Sequence, residues 1–399
     1  KRTVEASLSQ LQYVVSMGGS SSSGGSGSSS ITEVSDKLKK DILVNSSDVG
    51  YIKKGDVVMR AHTVILGAGA TMAVIPNGDK NGKKSSVMNG MISKLGLDDL
   101  LADVKLDTKS ENIEDIYSEL YMKPEYAEVV KELEKRLYDY FDSFEIPDTP
   151  TVYDFLILSL TEKDVIATFN WDPLLVQAYV RCYEITDNLP HLLCLHGNVG
   201  MGYCEEHREF GTKDAVCPVC KKQLPPTRLL YPVKNKEYNK DDYIAGCWDA
   251  INYIINNSYM ITIFGYSAPS SDIEAVNLLK KAWGKKEDRQ LEEVSVIDII
   301  DEAEMLEKWD DFIYSHHYRY TNNFFDSYLG MFPRRSCETV FAMYSLNVPA
   351  DGRRGFKPSM KWSDLYDFVY DLVLDEQNTP EGKNLPLYYT ADSFKNRDK

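Results

Sequence analysis

Five short stretches of the chain are dominated by apolar residues throughout instead of alternating with polar ones: 63–66, 165–169, 192–195, 260–264 and 294–300. A strand buried on both faces reads this way, and such strands separated by helical text imply a parallel sheet covered on both sides. The fold class expected is therefore α/β. Between the first two stretches, apolar and aromatic residues recur at three and four from 113 to 144, with Pro124 as an interruption, which predicts two helices. A further short amphipathic helix is expected over 31–44. The stretch 204–226 breaks the pattern with polar, cysteine-rich text and reads as a small module set apart from the sheet. From 304 onward the character turns aromatic-rich, as in WDDFIYSHHYRY and SDLYDFVYDLVLDEQ, and a helical C-terminal extension over 304–399 is expected.

Composition narrows the class. The chain has 399 residues, 43% hydrophobic and 27% charged, the balance of a globular protein. No apolar run approaches the roughly 20 residues needed to span a bilayer, and Lys1-Arg2 is not followed by the apolar run of a signal peptide. A cytoplasmic location away from any membrane is the expectation. A formal charge of -16 argues against nucleic acid as a partner, because phosphate affinity comes from Lys and Arg. Seven cysteines in such a length point to thiols or a metal instead of a disulfide framework.

Segment 18–30 reads GGSSSSGGSGSSS, which has nothing to build a core from and behaves as a flexible, engineered-looking linker with a mean span of about 20 Å. It tethers segment 1–17, where Val4, Leu8, Leu11 and Val15 fall at helical spacing. That segment reads either as a tag or as a ligand, substrate or leader peptide held near the body that follows.

Four constellations carry chemistry. Gly67-Ala68-Gly69-Ala70-Thr71 ends a predicted strand, where glycines let a backbone approach a diphosphate or simply pack closely. Cys204 and His207 are followed by Cys217 and Cys220, two ligand pairs each with two intervening residues, the spacing of a closed tetrahedral zinc site whose metal is structural. Asn170 and Asp172 end one strand and His196 the next, where parallel sheets bind ligands and a histidine can serve as a base. Gly265, Ser267 and Asp272 lie in a small-residue loop after a strand, with Asp272 suited to cap the following helix.

In this order the four segments resemble the sirtuins, the silent information regulator family of NAD-consuming enzymes, with the divergent bacterial sirtuin-like proteins the better match. The likeness spans about 58–300. GAGAT is similar to the family's NAD loop, Ile75-Pro76 to the start of its nicotinamide loop, TFNWD to its Asn motif and LHG to its catalytic-histidine motif. The resemblance implies a Rossmann-like NAD-binding catalytic domain over 31–303, with NAD as co-substrate. Carried over, Asn170 would orient the nicotinamide ribose, Asp172 would line the amide pocket and His196 would activate a ribose hydroxyl. Gly67, Ala68, Gly69, Thr71, Ile75, Pro76, Gly265, Ser267 and Asp298 would hold the dinucleotide.

Departures bear on the acceptor. Asn77, Gly78 and Asp79 stand where the family has Asp, Phe and Arg, Phe169 stands for a Gln, and His207 for a zinc Cys. The stretch 225–232 replaces the segment leading to the acyl-lysine groove. The leading expectation is an NAD-dependent deacylase or ADP-ribosyltransferase acting on a peptide or protein, with segment 1–17 a candidate substrate. The alternatives are an NAD hydrolase of phage-defence type with water as acceptor, and a non-catalytic module that binds NAD or peptide. The oligomeric state is left open.

Overall fold

Strands buried on both faces need a cover on each, and the computed structural model supplies both. It describes residues 61–85, 91–231, 238, 241–269 and 272–378. Segments 1–17 and 18–30 and the helix expected over 31–44 lie outside these residues. The five stretches form strands β1 (Ala61–Leu66), β2 (Val165–Thr168), β3 (His191–Cys194), β6 (Ser258–Phe264) and β7 (Glu293–Ile297), with β4 (Met201–Cys204) and β5 (Glu209–Thr212) between β3 and β6. Side chains alternate between two cores along each strand. Val64, Leu66, Ile166 and Phe264 enter one, while Ile65, Val165, Ala167, Ile261 and Ile263 enter the other.

Helices α1 (Ala68–Val74), α2 (Ile113–Tyr121), α3 (Ala127–Asp142), α4 (Val152–Leu158) and α5 (Leu174–Cys182) lie between β1 and β3 in the chain. Pro124 does separate α2 from α3. On α3, Val130, Leu133, Leu137 and Phe141 form the buried stripe that the three-and-four spacing predicts. Helices α6 (Asp242–Asn257), α7 (Ile273–Trp283) and α8 (Glu302–Trp309) contribute Ile251, Leu279 and Trp309 to the second core.

The sheet order is β3-β2-β1-β6-β7-β8, where β8 is Tyr318–Thr321, and every pairing in it is parallel. With the β4-β5 hairpin set aside, this is the doubly wound order whose direction reverses between β1 and β6. The C-terminal extension is thus not wholly helical, a correction to the sequence reading: it supplies the sixth strand before α9 (Ser336–Ser345) and α10 (Trp362–Asn378). Strand β8 escapes a search for apolar runs because it lies at the sheet edge, half-buried, and is built of Tyr-Arg-Tyr-Thr. The boundary expected at 303/304 also falls inside α8.

Residues 201–226 form the small module. Strands β4 and β5 pair antiparallel, and two bridges, Gly202 with Pro226 and Val216 with Gln223, close it. Among the described residues no helix is long and apolar enough to cross a membrane.

Candidate functional site

Register decides which residues meet. Leu66 pairs with Thr168 and Phe264, Thr168 with Cys194, and Phe264 with Ile297. The residues that follow, Gly67, Asn170, His196, Gly265 and Asp298, therefore leave the sheet along one carboxyl edge, with Gly67 and Gly265 flanking the point where strand order reverses.

At that point three glycines are pressed together. A Cβ on Gly67 would lie 2.6 Å from the Gly265 carbonyl oxygen, and one on Gly69 2.8 Å from the Gly265 Cα. Gly265 itself has φ +59 and a Cβ there would meet the Ala70 nitrogen at 2.3 Å. The Gly67 and Gly69 amides donate to the carbonyls of Phe264 and Gly265, at 3.1 and 2.8 Å. Close packing of β1 against β6 is thus the immediate reason for these glycines. Ala68 at the start of α1 and Ser267 beyond Gly265 face outward. Ile75 is buried at the end of α1 and Pro76 is exposed.

Next to this turn sits a polar knot that sequence reading had only in part. The Asn170 Nδ2 donates to the Gly67 carbonyl at 2.8 Å, to Thr71 Oγ1 at 3.1 Å and to the Tyr153 hydroxyl at 3.2 Å. The Thr71 hydroxyl donates to Asp172 Oδ2 at 2.7 Å, and the Leu174 amide to Asp172 Oδ1 at 3.1 Å. Asp172 is almost fully buried, and that burial raises its pKa, with the Thr71 bond opposing. Burial also raises the Tyr153 phenol, Asp172 adding to it. Tyr153, on α4, was not foreseen. Neither was Asn198, whose Nδ2 donates to the carbonyls of Asp172 and Asn170 at 2.7 and 3.1 Å and so ties the loop after β3 to the loop after β2.

His196 lies in an aromatic setting, 4% exposed. The Phe169 ring meets it edge-on with centroids 4.8 Å apart, and Tyr238 lies over it at 6.1 Å and 22°. Phe169 stacks in turn on Tyr266 at 4.4 Å. Gly197 has φ +77, and a Cβ would strike the Arg228 carbonyl oxygen at 2.0 Å, so the chain leaving the small module braces the histidine loop. The Leu230 amide adds a bond to the His196 carbonyl at 2.9 Å.

Asp272 corrects the expectation of a helix cap. It occupies the N-cap position of α7 without a side-chain capping bond. Its carboxylate points inward, Oδ2 accepting from the Tyr266 hydroxyl at 3.3 Å and Oδ1 lying 4.0 Å from His196 Nε2. Asp298 turns its carboxylate onto the Ile299 amide at 2.7 Å at the end of β7.

The loop after Ile75 is a built turn. Buried Asp79 accepts from the amides of Asn81, Lys83 and Glu145 at 2.9, 2.8 and 3.1 Å, which anchors the loop to the end of α3. A carboxylate at this spacing from Gly78 and Gly82 is a turn signal that could have been read.

In the module, the ligand atoms of Cys204, His207, Cys217 and Cys220 all lie within 4.8 Å of one another. Cys204 Sγ is 3.4 Å from His207 Nδ1 and 3.9 Å from Cys220 Sγ. The sulfur separation is far beyond a disulfide bond and close to the roughly 3.8 Å edge of a tetrahedron with 2.3 Å metal–sulfur bonds. The four residues can hold a metal ion.

No protein-family model matches the chain, and no curated protein matches it. Among solved structures, Sir2 proteins match. A Sir2–p53 peptide–NAD+ complex is 15% identical over 66% of this chain and 89% of its own, with a TM-score of 0.31. A Sir2 homolog–NAD complex is 14% identical over 71% and 87%, with a TM-score of 0.33. A Sir2 bound to acetylated peptide is 15% identical over 72% and 93%, with a TM-score of 0.32.

Proposed function

We propose that this chain binds NAD at the carboxyl edge of its sheet and cleaves the bond between ribose and nicotinamide. The observation that carries the reading is the register that brings the Gly67–Gly69 turn, Asn170, His196 and Gly265 to one edge beside the reversal of strand order, where doubly wound sheets take dinucleotides. NAD supplies a glycosidic bond whose rupture releases nicotinamide and leaves an oxocarbenium-like sugar. Asn170, held by Gly67, Thr71 and Tyr153, orients the ribose, and buried Asp172 faces the amide. His196 takes the proton of the attacking or neighbouring hydroxyl. Cys204, His207, Cys217 and Cys220 hold a structural zinc ion, which a closed set of four protein ligands suits.

For the acceptor, a peptide or protein is the first reading, by deacylation or ADP-ribosyl transfer, with segment 1–17 a substrate candidate. One observation favours a second, hydrolysis of NAD: His196 is only 4% exposed, with the rings of Phe169 and Tyr238 against it, a setting that favours a small acceptor over a bulky side chain. Incubating the full chain with NAD and following nicotinamide, ADP-ribose and the mass of segment 1–17 separates the two. Free ADP-ribose with an unmodified segment selects hydrolysis, a mass gain selects transfer, and loss of an acetyl group from a chain acetylated at Lys1 selects deacylation. Absence of nicotinamide release would overturn both.

A further inference from the structure

Asp272 is the one carboxylate of the site that sequence order explains wrongly. An aspartate at a helix N-cap ordinarily accepts from the second or third amide of the helix, a bond worth about 1 kcal/mol. Asp272 forgoes that bond although α7 begins at the next residue, and buries its side chain to 9% exposure instead. Taking a carboxylate out of water costs several kcal/mol unless partners offset it. Its inward neighbours include the Tyr266 hydroxyl at 3.3 Å and His196 Nε2 at 4.0 Å. On the proposed reading of His196 as a proton acceptor, we propose that Asp272 is its positioning carboxylate, which orients the imidazole and stabilises the imidazolium formed in the reaction.

The chemistry balances simply. A hydroxyl proton passes to the imidazole, its electron pair remains on oxygen, and the Asp272 carboxylate lies beside the new cation. The 4.0 Å separation is longer than a hydrogen bond, as catalytic contacts are before substrate draws them together. The titratable groups beside the imidazole include Asp272 at the N-cap of α7 and Tyr238 over the ring, with Tyr266 reaching it through its bond to Asp272. Burial first, then the Asp272 charge, raises both phenols, and Glu274 adds to this at Tyr238. Both tyrosines therefore stay neutral across the working range. Tyr266 acts as the brace: its hydroxyl holds the carboxylate while its ring stacks on Phe169, which meets His196 edge-on.

The test is the near-isosteric Asp272→Asn in the full chain, with His196→Ala used to assign the imidazole signal by NMR. In NAD-free protein His196 should titrate about one pH unit lower in Asp272→Asn than in the wild type, because a nearby negative charge favours the protonated ring. Asp272→Glu should recover most of that shift. Tyr266→Phe should give a smaller shift in the same direction and serves if Asp272→Asn folds poorly. In turnover, the acid limb of nicotinamide release should move down with the titration and kcat should fall about tenfold at unchanged KM for NAD, a split that a merely structural aspartate would not produce. An unshifted His196 in both Asp272→Asn and Tyr266→Phe would overturn the pairing. The titration needs no NAD, so failure of the wild type to release nicotinamide would sink the proposed function and leave this pairing to be judged alone.

Discussion

Two histidines are buried at opposite ends of the same sheet, and their surroundings differ in kind. His62, near the amino end of β1, is fully enclosed, with Nδ1 2.8 Å from Ser336 Oγ, Nε2 2.7 Å from Thr262 Oγ1 and its amide donating to Asp164 at 2.8 Å. Burial drives its pKa down to about 3, against the pull of Asp164. His196, at the carboxyl end, has rings on its faces and a carboxylate at ion-pair range. One ring is committed on both nitrogens to hydroxyls, that of Thr262 on β6 and that of Ser336 on α9 in the C-terminal extension. On the proposed function the other is the proton acceptor, with the Asp272 carboxylate beside it. Burial and residue type are alike, so it is the partners that separate the two.

The largest effect tests that separation directly. His196→Ala and Asn170→Ala should each lower nicotinamide release by about a hundredfold or more, the range for losing a positioned base or orienting group. Metal content and melting temperature should stay near the wild-type values. Near-normal turnover in either variant would mean that the centre lies elsewhere.

At the opposite end the expected loss is of stability. Arg334, fully buried at φ 65, bonds to Glu376 on α10 through Nε and Nη2 at 2.6 and 2.8 Å and to the carbonyls of Leu160 and Asn188. Lys163 lies between Asp164 and Glu338, whose charges more than offset the lowering that burial imposes on its ammonium. Arg334→Met leaves Glu376 buried without its cation, which should cost about 3 to 5 kcal/mol. Urea denaturation should show this, while kcat of the protein that remains folded stays the same. A fall in kcat without a fall in stability would merge the two ends.

Metal removal should fall between these outcomes. A chelator, or Cys217→Ser, should disorder the module, as loss of a ligand does in small metal-held folds. Activity should drop because Arg228 and Leu230, which follow the module, brace Gly197 and His196. The Arg334 end should be untouched, so amide exchange there should match that of the metal-loaded protein. Protection lost equally at both ends would show that the module supports the whole sheet.

How much of this was legible depends on the range of the signal. Doubly buried strands, the break at Pro124, the metal-ligand spacing and the placement of Asn170, Asp172 and His196 after strands are local patterns, and each could be read from neighbouring residues. Strand β8 could have been suspected from Tyr318 and Tyr320 alternating around Arg319, but edge strands lack the apolar run that betrays central ones. Tyr153 against Thr71 and Asn170, or Ser336 against His62, are meetings set by packing across as many as 274 residues, and no spacing announces them. Asp272 was misread for the same reason: its sequence neighbours suggest a cap, and its spatial neighbours offer His196.

The last effect concerns pH and isolates His62. Unfolded, its imidazole takes a proton near pH 6.5, whereas in the folded chain it resists until about 3. Below 6.5 the unfolded state therefore binds the extra proton, and stability drains away as the pH falls toward 3, by at most about 1.4 kcal/mol per unit. Glu293 works in the opposite sense. Burial raises it to about 7 from an ordinary 4.5, so the folded chain holds the extra proton between those values and gains stability as the pH falls through them. Between pH 6.5 and 4.5 the two slopes oppose each other. His62→Gln should remove the acid loss and leave a urea midpoint that rises on acidification, relative to wild type, whereas Glu293→Gln should leave one that falls, relative to wild type. Other buried carboxylates, Asp172 and Glu338 among them, contribute equally to all three proteins and cancel in the differences. If His62→Gln left the slope unchanged, the His62 ring would not be held neutral at the amino end, and the contrast between the two histidines would have to rest on activity alone.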